Sequence, residues 1–234
     1  CGMVFAKIRN MERRYELDDC GSFLMYNGFI LARAHGHVLD TGQYNEPCRI
    51  LSSKSATCAI KRKVFFETGQ FDTTYFILGE ESDLGWRVWL KGYEVWYVPS
   101  ALSWHAFGCE KIKPTADFYS LSRIHRNGAR NYCAMLLTNL GLFRLCLIFP
   151  LHLGGWLIAI CGFLVCGEWK RAGLIFNGLF DSIRNLQHIR KKRQQVQETR
   201  LISDRKLMQI IMHSPPPKYF SERLIRYWVR KQHG

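Results

Sequence analysis

The sequence predicts an α/β domain followed by a mainly helical, membrane-associated C-terminal region. Three observations carry this. Residues 69–105 pass from a glycine turn through an acid-rich helical stretch into a β-rich one. Residues 145–166, LCLIFPLHLGGWLIAICGFLVC, hold no acid, lysine or arginine. Finally, 47% of the 234 residues are hydrophobic and 14% aromatic, too apolar for wholesale disorder and enough for one domain plus an appendage. The expected divisions are 1–115, 116–213 and a basic tail, 214–234.

The formal charge is 33 minus 19, or +14. It points to an anionic partner: nucleic acid, anionic lipid or a phosphorylated substrate, among which charge alone does not choose. Nine cysteines include no C-x-x-C pair, so neither a zinc site nor a disulfide framework is indicated, and a reduced setting is the simpler reading. The opening residues, CGMVFAKIRN, lack both an initiating methionine and an apolar signal-like run. The chain therefore reads as the later part of something longer.

Residues 2–8 predict a strand, and 22–31 another carrying Phe23, Met25 and Phe29. Asp18-Asp19 reads as a polar turn ahead of Cys20-Gly21. Gly36, Asp40, Gly42 and Asn45 mark a loop, with His35 and His37 as loop residues rather than ligands. Residues 52–66, SSKSATCAIKRKVFF, run from small to apolar and basic. Ser55, Ala56 and Ala59 would allow a sugar or backbone to approach closely, or simply pack tightly. Lys61, Arg62 and Lys63 either face an anion or form a solvated turn.

In 69–108, Gly79 ends an extended run, Glu80, Glu81 and Asp83 fall in a first helical turn, and Lys91-Gly92 is a helix stop. Residues 93–98 then predict a strand closed by Pro99. On a 3.6-residue period Glu80, Asp83 and Arg87 share a face, while Glu81 points roughly a third to half a turn away from Asp83. Asp83 and Arg87 at i, i+4 are a ready ion pair, and acids in a first turn favour the helix dipole without any catalysis.

The ordered set Gly69, Phe71-Asp72, Tyr75-Phe76, Glu80-Glu81-Ser82-Asp83-Leu84, Arg87, Gly92-Tyr93, Tyr97-Val98-Pro99 and His105 resembles the family 2 glycosyltransferases, especially their rhamnosyltransferase-like branch. The resemblance implies a partial GT-A-like (Rossmann-like) domain and inverting transfer from a nucleotide-sugar donor to a cell-envelope glycan or lipid-linked acceptor. It places the general base on Glu81, where the family pattern has aspartate. Glu80 then orients base or acceptor, and Asp83 and Arg87 support the cluster. It also implies a divalent cation, Mg2+ or Mn2+, with His105 as a ligand. Residues 1–68 contain no Asp-x-Asp and are too short for the several β-α units of a nucleotide-binding half. That half is expected upstream.

Residues 118–140 predict an amphipathic basic helix. The 22-residue run 145–166 would be about 33 Å long as a helix, close to a bilayer core. Pro150, His152 and Gly154-Gly155 weaken a straight span, and both flanks are basic. A single span or, preferably, a broken or re-entrant hairpin follows, with 174–183 along the membrane surface at its cytoplasmic face. The RKKR run at 190–193 suits anionic headgroups or a lipid-linked diphosphate; no groove-reading motif accompanies it, so no nucleic-acid partner is expected. Without the polymerase-type Gln-x-x-Arg-Trp, single-sugar transfer is favoured. The alternative is a catalytically inactive membrane-associated binding module that keeps the fold.

Overall fold

The computed structural model describes residues 1–34, 38–106 and 121–213. It is a mixed α/β structure, a curled mixed sheet joined to a helical C-terminal region. Strand β1 (Met3–Asn10) is central to the sheet and buried along almost its whole length. It pairs parallel with β8 (Val95–His105), and antiparallel with β2 (Glu16–Asp19) and β7 (Cys58–Ile60). The two-residue strands β5 (Val38–Leu39) and β6 (Cys48–Arg49) extend the sheet beyond β2 and β8. Lys7 can be buried in β1 because its ammonium reaches Asp40 at 3.1 Å and Asn45 at 2.6 Å.

Two expectations about strands change. The strand predicted in 22–31 is a hairpin, β3 (Ser22–Leu24) and β4 (Ile30–Ala32), because Gly28, at φ +78°, turns the chain where an L side chain is disfavoured. The strand predicted to stop at Pro99 instead runs on to His105. Its register slips there: Ala6 faces Val98 and Lys7 faces Leu102. The proline thus lies in a bulge, where its missing N–H leaves no ladder bond unmade.

After β7 comes helix α1 (Arg62–Glu67). Ser55, Ala56 and Ala59 are exposed, as are Lys61, Arg62 and Lys63; the small side chains that do pack are Ser52 and Ser53, both fully buried. Helix α2 (Glu80–Leu90) begins after Gly79 at φ +89°. It ends in a Schellman turn, with Gly92 N–H on the Trp89 carbonyl and Tyr93 N–H on that of Val88. Everything in it from Ser82 to Leu90 is buried. Gly85 lets it press against the sheet: a Cβ there would lie 2.3 Å from the Leu51 carbonyl oxygen.

The C-terminal helices are α3 (Leu121–Asn139), α4 (Leu142–Val165), α5 (Trp169–Arg184), α6 (Leu186–Glu198) and α7 (Asp204–Ile211). α3, α4 and α7 share one apolar core with the sheet: Leu136 of α3, Ile148 of α4 and Leu207 of α7 join Phe5, Leu24 and Trp86. α3 and α5 approach closely at Gly178, where a Cβ would sit 2.2 Å from the Arg126 carbonyl oxygen.

α4 is a single unbroken helix, not the broken segment expected from Pro150 and Gly154-Gly155. Inside a helix, proline removes one ladder bond, and here the flanking turns carry the helix through. The other helix-weakening residues serve packing instead. Phe29 fills the space beside Gly155, where a Cβ would come within 2.7 Å of its ring. His152 is fully buried: its Nε2 accepts from the Trp156 indole at 2.9 Å, so Nδ1 carries the proton donated to the Asn27 carbonyl at 3.2 Å. The β3–β4 hairpin is thereby docked on the first half of α4. At 24 residues, with a mean hydropathy of 2.0 over its apolar window, α4 is long and apolar enough to cross a membrane.

Candidate active site

Three stretches far apart in sequence meet beside the start of α2. β2 ends in Asp18-Asp19, β8 ends in His105, and the 52–54 segment touches both β2 and the helix, Ser52 Oγ lying 2.8 Å from Ser82 Oγ and Ser53 Oγ donating to Asp19. The Asp18 carboxylate accepts from Lys54 Nζ at 2.5 Å through one oxygen and lies 2.7 Å from His105 Nδ1 through the other. Burial alone would raise its pKa, but the His105 hydrogen bond and the Lys54 charge hold it below the ordinary value. Asp19 is buried and accepts from Ser53 Oγ at 2.6 Å and Gly21 N–H at 2.7 Å. Its burial outweighs those bonds and pushes its pKa up.

The acidic pair expected to form a polar turn is therefore the buried end of a strand. The cause is long-range: the lysine and histidine that hold Asp18 are 36 and 87 residues away.

The α2 acids divide into two sets, with Glu81 apart from Asp83 as the helical period predicts, but Glu80 goes with Glu81 rather than with Asp83 and Arg87. Glu80 and Glu81 are joined by a side-chain hydrogen bond. Burial first, and then the Glu80 charge, raise the Glu81 pKa to about 8, with Asp19 adding to the effect. The second Glu80 oxygen is buried without a hydrogen-bond partner among the described residues. A carboxyl with a raised pKa at a helix N-terminus, close to a second carboxyl, is suited to hold or take a proton near neutral pH.

Asp83 belongs to a different assembly. It is fully buried, and Arg87 Nη2 at 2.8 Å, Asn139 Nδ2 at 2.9 Å and Lys192 Nζ at 2.8 Å all donate to it. Arg87 goes on to donate to the carbonyls of Thr68 and Gln70, and Lys192 also reaches Asp72 at 2.5 Å. The predicted Asp83–Arg87 ion pair forms, and it ties α2 to α3, α6 and the turn before it. It does not line the Glu81 cluster.

His105, the expected metal ligand, lies against Asp18. Both Asp18 oxygens are engaged, and among the described residues no three His, Cys, Asp or Glu side chains converge. His35, His37 and the 214–234 tail lie outside the described residues. The chain matches no protein-family model, and no curated protein matches it.

Proposed function

We propose that this chain is the acceptor-side part of an inverting glycosyltransferase, acting on a nucleotide-sugar donor at the cytoplasmic face of a membrane. The observation that carries the reading is the Glu80–Glu81 pair at the start of α2, raised in pKa by burial, with Asp19 close to Glu81. The motif order across 69–105 supports the same chemistry.

In that reaction the acceptor hydroxyl oxygen attacks the anomeric carbon. The bond from that carbon to the nucleotide diphosphate breaks, and the diphosphate leaves with the electron pair. The hydroxyl proton passes to the Glu81 carboxylate. A base with a pKa near the working pH takes that proton better than an ordinary carboxylate. Glu80 keeps Glu81 basic through like-charge repulsion, and Asp18 fixes the orientation of His105 at the end of β8. Asp83 and Arg87 act at one remove, holding α2 against α3 and α6.

The test is nucleotide release by the full-length gene product, offered a panel of nucleotide sugars and lipid-linked acceptors. Glu81→Gln is expected to lower turnover roughly a hundred- to ten-thousand-fold while the protein stays folded. Equal transfer by the two proteins would remove Glu81 as the base. No transfer by the unsubstituted protein would leave a binding module that keeps the fold.

A further inference from the structure

The 190–193 run looks like a headgroup patch in sequence, but the fold uses half of it internally. Lys192 is paired with Asp72 and Asp83. Arg193 donates to the Leu137 and Leu140 carbonyls at the end of α3, the helix end that cations favour. Uncommitted basic groups meet the apolar helix elsewhere.

α4 begins at a cavity of about 650 Å3 opening between its first turn and the 200–205 turn. Arg144, Arg200 and Arg205 line it, together with a single carboxylate, Asp204. Arg200 pairs with Asp204, which also accepts the Gly141 N–H at 2.8 Å. Among the described residues neither Arg144 nor Arg205 forms an ion pair, so the cavity is cationic on balance. Its rim is apolar: Leu142 is 70% exposed, and Phe143 and Leu201 are each 75% exposed. From Phe143 the exposed side chains of Leu147, Leu151 and Ile158 continue along one face of α4. Basic groups above an apolar stripe match the boundary between lipid headgroups and acyl chains.

We propose that this cavity and stripe are the lipid-contact face of the protein. The phosphate of an anionic phospholipid pairs with Arg144 and Arg205, and the α4 stripe enters the acyl layer. The assignment does not depend on glycosyl transfer.

Flotation of the full chain with vesicles tests it, using phosphatidylcholine alone and an equimolar mixture with phosphatidylglycerol. The chain is expected to prefer the mixture. The Arg144→Gln, Arg205→Gln double variant should lose roughly thirty-fold in partition onto it, from about 1 kcal/mol per basic side chain near an anionic surface. The Arg190→Gln, Lys191→Gln control should keep the preference. Phe143→Ser, at an exposed position the core does not use, should weaken binding to both vesicles. Excess inorganic phosphate should leave flotation unchanged. The proposal fails if the control variant loses as much as the double variant, if free phosphate releases the chain, or if both vesicles bind it equally.

Discussion

Glu81 links two pH dependences of opposite sense. Its carboxyl binds a proton more tightly in the folded chain than in the unfolded one. Its contribution to stability is therefore complete below the ordinary glutamate pKa and is lost as pH rises through about 8. Transfer depends on the ionised form and should climb across the same interval. Rate and unfolding profiles between pH 5 and 9 check both, with Glu81→Gln expected to flatten the stability decline by on the order of 4 kcal/mol. Asp83 should behave differently. Asp83→Asn leaves the Arg87 and Lys192 charges buried against a neutral partner, so a loss of about 3–5 kcal/mol is expected. At about 2–4 °C per kcal/mol for a chain of this size, the melting midpoint should drop by roughly 10 °C. The i, i+4 spacing shows that Asp83 and Arg87 can pair. It carries no sign of Asn139 or Lys192, which fold in from α3 and α6.

At the scale of elements, local chemistry was the reliable guide. Gly79, the acids after it and Lys91-Gly92 bound α2 where capping and dipole arguments place them. The exceptions were decided by neighbours. Pro99 and Pro150 both read as stops, yet the chain passes through each, one in a bulge of a paired strand and one inside a supported helix. The glycines that read as weak points in α4 include Gly155, a packing site for Phe29. Residues 190–200 read as a basic surface. In the fold, Arg193 and Gln197 cap the carbonyls that end α3. A helix terminus needs such partners, and nothing local in the sequence names them.

For the whole molecule, thiol reactivity offers a map of burial and membrane contact. Cys20 and Cys133 are buried, and burial lifts their thiols to about 11 and about 12. A water-soluble maleimide should therefore reach them only through local opening. Cys1, Cys146, Cys161 and Cys166 are exposed and should react freely. Adding anionic vesicles should protect the three on or next to α4 and leave Cys1 reactive. Protection of Cys1 as well, or of none, would contradict membrane contact through α4.

The sequence by itself determined that the chain folds as α/β followed by helices, that α2 starts in acids and stops at a glycine, and that one helix reaches membrane length. Those are consequences of composition, period and capping, which act over a few residues. Only the tertiary structure decided that Asp18 and Asp19 are the buried end of a strand, that Glu81 is raised in pKa together with Glu80 and Asp19, and that half of the RKKR run points inward. Each of these rests on burial and on partners brought from distant positions, so the charge of a side chain is legible in sequence while what neutralises it is not.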